Sequence, residues 1–221
     1  TMFVTIPIFQ WLFPEATFGM IIGNMKVGSF ARGIGSTVST ARKIAWKECL
    51  LRASFPCIAT IIGAVLISEL DQKWIFPAVI VAILLAELAP RVSHLVNKKT
   101  FFVANFTSGM YAGIFGAGIG IILTALLRVK HPKDSDIAFV KIQARFIEWV
   151  LVITAVVTHY FHGNLQTAIW LPWAIGSIVG GVVGGMILHR MGHLDGKYQK
   201  FILHLSFAIA LLVAGIKFFQ G

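Results

Sequence analysis

The sequence predicts an all-α polytopic membrane protein. It is expected to hold two inverted repeats of three transmembrane helices, each preceded by a glycine-broken re-entrant hairpin, the first one incomplete. Three observations carry this. Of 221 residues, 57% are hydrophobic and 13% are charged, and the mean hydropathy is +0.82, whereas a soluble domain carries about 25% charged residues. Six apolar segments approach or exceed spanning length. The basic loop residues fall on one face in only one layout of those segments.

The chain opens in apolar sequence, residues 1–13, which is too short to cross because a spanning helix needs about 20 residues. It reads as a half-length element, with further native sequence expected before Thr1. Pro14, Glu15 and Ala16 end it. Apolar segments follow at 18–36, 48–68, 74–88, 137–161, 165–188 and 201–219. Between the third and fourth lies residues 100–127, interrupted by Gly109, Gly113, Gly116, Gly118 and Gly120. Glycine costs about 1 kcal/mol in a helix interior, so this run predicts a break, and neither half alone can cross.

Loop charge decides whether that segment crosses. The basic loop residues are Arg42, Lys43, Lys47, Lys73, Arg91, Lys98, Lys99, Arg128, Lys130, Lys133, Arg190, Lys197 and Lys200, which with Lys217 in the tail make 14. A crossing segment divides them 7 against 7 between the faces, and a re-entrant one divides them 12 against 2. Positive charge gathers on the cytoplasmic side, which favours the re-entrant hairpin. Irregular backbone at that depth needs protein or a watery cavity around it. Three crossings before the hairpin and three after it make the halves inverted: residues 1–99 as the first repeat, 100–221 as the second. At an offset of 121, Ile44 pairs with Leu165, Ala53 with Ala174, Gly63 with Gly184 and Ile67 with Leu188. Equivalent loops carry opposite charge, as inversion requires. Inverted repeats with broken helices place a binding site near the midplane.

The formal charge of +10 reads as cytoplasmic loop decoration, and no nucleic-acid partner is expected. Cys49 and Cys57 lie eight apart in one helical run and cannot bridge. His159 with His162, and His189 with His193, lack a third ligand nearby, so no metal is expected. No cofactor is expected, and no serine–histidine–aspartate set or carboxylate pair can be assembled in the apolar core, which argues against an enzyme.

The run from Ser108 to Leu123 is neither a phosphate loop nor a dinucleotide fingerprint. Its glycines serve close helix packing or open a half-helix whose free N–H groups attract anions. The coincidence with the charge argument favours the second. Lys26, Arg32, Arg52, Lys141 and Arg145 sit in apolar segments, where a central charge costs about 2.5–3.5 kcal/mol. Four lie near cytoplasmic ends and can snorkel, but Lys26 is deeper. The candidate anion site is therefore Lys26 with Gly116, Gly118 and Gly120. Asn24, Asn105 and Ser108 supply neutral hydrogen bonds and Arg145 a further cation. Ser29 and Gln143 serve such a site or helix packing. Glu148 is expected to pair with Lys141 or Arg145, Glu48 and Glu87 lie at segment ends, and Gly176, Gly180 and Gly184 form a packing face.

At the glycine hairpin the sequence resembles the sulfite exporter TauE/SafE family of membrane permeases. That family carries a Gly-rich stretch in each half, followed by an apolar run ending in or near Pro. Here the second copy runs from Gly109 to Leu127. Residues 1–14, with Pro7 and the Pro14 turn, look like the continuation of the first. The likeness extends through 46–63 and 163–190, and so over nearly the whole chain. Gly116, Gly118 and Gly120 stand where the family often has consecutive glycines, and Thr124 where it often has Pro. The resemblance implies secondary transport, by export, of small sulfur-containing anions such as sulfite or organosulfonates. It implies a multi-pass protein of a prokaryotic inner membrane, with lipid and the anion as partners and homo-oligomerisation left open. The contrasting expectation is a membrane scaffold or subunit without transport.

Overall fold

A computed structural model describes residues 2–71, 74, 77, 80, 81, 84, 88, 100–116, 119–130 and 137–190. The expected crossing at 201–219, Glu87, Lys98, Gly118, and most of the expected crossing at 74–88 lie outside the described residues. Seven α-helices are described: α1 (Met2–Leu12), α2 (Phe18–Thr40), α3 (Trp46–Ser68), α4 (Phe101–Ile114), α5 (Ile119–Lys130), α6 (Ile137–Phe161) and α7 (Thr167–Arg190).

Local chemistry sets the ends. Ala16 N–H bonds to Phe13 O at 3.0 Å in the turn after α1. Thr17 then caps α2, its hydroxyl accepting from Met20 N–H at 3.2 Å. A 3-10 turn, Ala41–Lys43, and an extended Ile44 separate α2 from α3. Gly163, at φ +69°, closes α6. The expected 137–161 segment coincides with α6, while α2 and α7 run past their expected C-terminal ends.

α2 is the central helix, packed on both α6 and α7, and α3 lies between α4 and α6. The glycines of α2 make this close packing sterically allowed. A Cβ at Gly28 would strike the Trp173 indole of α7, and one at Gly33 the Trp149 indole of α6. Trp149 is fixed there by its Nε1–H donating to Phe30 O at 3.2 Å and by stacking on Phe30 at 5.9 Å.

The break in the glycine segment is narrower than expected. Gly109 and Gly113 lie inside α4, and the helix ends only at Ile114. Both glycines meet α3: an added Cβ would strike Pro56 O from Gly109 and Thr60 O from Gly113, and one at Gly63 of α3 would strike Met110 O. Two backbones this close leave no room for side chains, so these glycines pack helices. The Thr60 hydroxyl reinforces the contact, 2.9 Å from both Pro56 O and Gly109 O. Gly176 behaves otherwise: nothing lies within 4 Å of an added Cβ there, so it packs against none of the described residues. Of Gly180 and Gly184 the structure describes the backbone alone.

The exterior is apolar and the interior holds polar groups. Leu51, Ile58, Ile62 and Leu66 of α3 are exposed, as are Phe102, Val103, Val157, Ile175 and Val179 on other helices, while Lys26, Asn24, His159 and Asn164 are buried. Water penalises that distribution and a lipid surround favours it. Among the described residues one helix, Trp46–Ser68, is both long and apolar enough to cross a bilayer, at a mean hydropathy of 2.0. The sequence expected more. α2 and α6 have the length, at 23 and 25 residues. Their average apolarity falls because α2 carries Asn24, Lys26 and Arg32 and α6 carries Lys141, Arg145 and Glu148.

Candidate functional site

The site is built around the end of α4. Phe115 and Gly116 both turn their N–H groups to Tyr111 O, at 2.9 and 3.0 Å. Gly116 takes φ +71°, a conformation that glycine adopts without steric cost. This cap leaves the carbonyl of Ala112 outside the helical ladder. Lys26, fully buried on α2, donates to it from Nζ. The carbonyl end of a helix carries partial negative charge, so the ammonium neutralises the terminus and the terminus stabilises the ammonium. A Cβ at Gly116 would collide with Nζ.

A carboxylate stands on the other side of the break. A Cβ at Gly120, in the first turn of α5, would lie 2.7 Å from Glu148 Oε2. The N-terminal end of α5 is positive and favours that placement. Glu148 is also 3.4 Å from Arg145 Nη1 and within electrostatic reach of Arg32 and Lys26. The two ends of the broken helix therefore meet charges opposite in sign to their own, from α2 and α6.

Other expected site residues divide. Lys26, Gly116 and Gly120 are brought together at the break, and Gly118 lies outside the described residues. Asn24 is buried but committed: its amide NH2 donates to Met20 O at 2.6 Å and Asn164 O at 3.1 Å, and its Oδ1 accepts from Gln166 N–H at 3.0 Å. It fastens α2 to the start of α7. Ser108 is buried with its hydroxyl on Asn105 O at 2.8 Å, a bond within α4 that brings neither residue to Lys26. Arg145 is 65% exposed and touches the break only through Glu148, the partner expected for that carboxylate. Gln143 proves to be a packing residue, bonded to Ala45 N–H, Lys43 O and Cys49 Sγ. Ser29 bonds within its own helix to Met25 O at 3.3 Å. Arg52 pairs with Glu48 on α3. An open depression at the start of α3, lined by Ala45, Trp46, Lys47, Glu48 and Leu51, shares no residue with the Lys26 surroundings.

A second polar cluster was not foreseen. Ser68, His159 and Asn164 meet where α2 begins and α3 and α6 end; a Cβ at Gly19 would lie 2.9 Å from Ser68 Cα and 3.0 Å from Asn164 Nδ2. His159 and His162, three apart at an expected membrane edge, were not expected to bind a metal, and the structure separates their surroundings. His162 is exposed and bonded to Thr158 O at 2.9 Å, while His159 is fully buried. Among the described residues no group of three or more His, Cys, Asp or Glu side chains gathers as a metal site. Nothing in the local sequence marks His159; the neighbouring signal is Gly23, whose missing side chain admits the ring. Two buried side-chain nitrogens, His159 Nε2 and Trp173 Nε1, have no hydrogen-bond partner among the described residues.

Compared with known proteins, residues 2–218 match the family model described as sulfite exporter TauE/SafE. No curated protein and no solved structure matches the chain.

Proposed function

The chain belongs to the sulfite exporter TauE/SafE family, a family of integral membrane transporters, and on that premise we propose that it is a secondary transporter exporting small sulfur-containing anions, such as sulfite or organosulfonates, by alternating access. The substrate is held at Lys26 beside the Gly116 break. The observation that carries this reading is a lysine ammonium withdrawn entirely from solvent and placed on a broken helix. Burying a charge is expensive, and holding the Ala112 carbonyl occupies only one of its donors. An ammonium has three N–H donors; Ala112 O is its one hydrogen-bond partner among the described residues, so the group can take an oxyanion as well. Lysine is a compact charge without a rigid bidentate fork, which suits binding followed by release. Glu148, in electrostatic reach, offsets the charge of Lys26 when no anion is held.

The proposal includes the inverted layout, with residues 1–99 and 100–221 as the repeats and the α4–α5 break as the turn of a re-entrant hairpin. The narrow break at Gly116 and the loop-charge division support it. Flux of sulfite and of methanesulfonate from liposomes containing the purified protein tests the function, with chloride as the control anion. Transport that Lys26→Met abolishes supports the reading. Absence of flux for both sulfur anions overturns it in favour of a non-transporting scaffold.

A further inference from the structure

His159 lies two residues before the end of α6 and is fully buried. Its ring rests on Gly23 of α2, where an added Cβ would meet His159 Cβ and Cγ at 3.1 Å. Gly23 is one turn before Lys26 on the same helix face. The imidazole and the ammonium interact electrostatically.

The neighbours fix where the ring carries its proton. The Ser68 hydroxyl donates its one hydrogen to Ala64 O at 2.8 Å. Towards the Asn164 amide, 2.7 Å away, its oxygen can therefore only accept. Asn164 must turn its NH2 to Ser68, and the second hydrogen of that NH2 meets His159 Nδ1 at 3.2 Å. Nδ1 is thus an acceptor, and a neutral imidazole with an accepting Nδ1 bears its proton on Nε2. That Nε2–H is the buried group with no partner among the described residues. An unpaired buried donor is costly and needs a reason.

We propose that His159 is a second anion-binding residue, its Nε2–H donating to one oxygen of the sulfur oxyanion that Lys26 holds. Ser68 and Asn164 are positioning residues that keep the proton on Nε2. The assignment rests on the transporter reading above and adds to it a donor on a different helix. Sulfite and sulfonates carry several oxygens on one sulfur, so donors from α2 and α6 can take different oxygens of the same ion. A neutral donor adds no second full charge, which keeps release accessible.

The test uses the full chain in nanodiscs with ring-15N-labelled histidine, titrated separately with sulfite and methanesulfonate. Without anion, His159 shows a protonated Nε2 and an unprotonated Nδ1, and each anion moves the Nε2 resonance. His159→Phe, which keeps the ring but not the donor, lowers affinity for both anions by roughly tenfold to a hundredfold, and His159→Gln, which keeps an N–H, recovers most of it. Asn164→Asp draws the proton onto Nδ1 and weakens binding as His159→Phe does. A wild-type ring protonated on Nδ1 alone overturns the assignment, whether or not the variants fold. So does unchanged affinity in both His159→Phe and Asn164→Asp when Lys26→Met abolishes binding; the transporter reading then stands without His159. Wild-type protein that binds neither anion overturns the transporter reading and this assignment together.

Discussion

The ammonium of Lys26 on α2 donates to the backbone carbonyl of Ala112 on α4, four residues before the chain turns at Gly116. One side chain thus joins the central helix to the end of the broken one. Lys26→Met keeps most of the volume but removes the charge and the donor. It should reduce sulfite affinity at least tenfold, as loss of a charged hydrogen bond worth about 1.5–3 kcal/mol implies. The melting temperature should fall only modestly, because removing a buried charge offsets the unpaired carbonyl. Calorimetric titration and thermal melting on the same preparation check both; unchanged affinity in a folded variant moves the site elsewhere.

Gly116 and Gly163 form a natural comparison. Both have φ near +70°, at +71° and +69°, but an added Cβ meets Lys26 Nζ at the first and nothing within 4 Å at the second. Gly163→Ala should cost only the left-handed backbone penalty, about 1–2 kcal/mol. Gly116→Ala should cost more and also weaken anion binding, since Lys26 has to move. Equal losses of stability, with binding intact in both, would contradict the placement of Lys26.

Helical glycines should separate in the same way. Gly113→Ala forces α4 away from the Thr60 carbonyl of α3 and should destabilise by about 1–3 kcal/mol, the usual cost of overpacking. Gly35, on α2, has open space around an added Cβ. Gly35→Ala should be neutral or stabilise by up to about 1 kcal/mol through helix propensity. Thermal melts of the two variants against wild type suffice, and a stable Gly113→Ala would deny the α3–α4 contact.

Arg145 should matter little to binding. Its guanidinium is 65% exposed and its ion pair with Glu148 is 3.4 Å long, and pairs of that kind contribute roughly 0–1 kcal/mol. Arg145→Ala should leave sulfite affinity within about threefold of wild type, on that same scale. A loss as large as that of Lys26→Met would place Arg145 in the site after all.

The loop charges make a prediction of their own. If residues 100–127 re-enter, positions 98 and 133 face the same side. Single cysteines at Lys98 and Lys133, labelled from one side of sealed vesicles, should react alike. Opposite accessibility would remove the hairpin and the inversion together.

Residue chemistry alone determined that this chain is helical, lipid-surrounded and interrupted once in its middle. Such properties depend on apolar run length, glycine cost and loop charge, all of which are local or additive along the chain. The 137–161 helix was legible to both ends for that reason, and so was Lys26, because a charge deep in an apolar run has no local explanation. Tertiary structure decided which glycines break a helix and which pack one. Gly109 and Gly113 stay helical and face the backbone of α3, whereas Gly116 turns at φ +71° and faces the Lys26 ammonium. It also decided the fate of the polar residues. Asn24 is consumed by Met20, Asn164 and Gln166, while His159, unremarkable at a helix end, is buried where Gly23 of α2 admits its ring and Ser68 of α3 orients the neighbouring Asn164 against it. A hydrogen bond needs a partner at a defined place; two of Asn24's partners, and the Ser68 partner of Asn164, lie 96 to 142 positions away, where no spacing rule reaches.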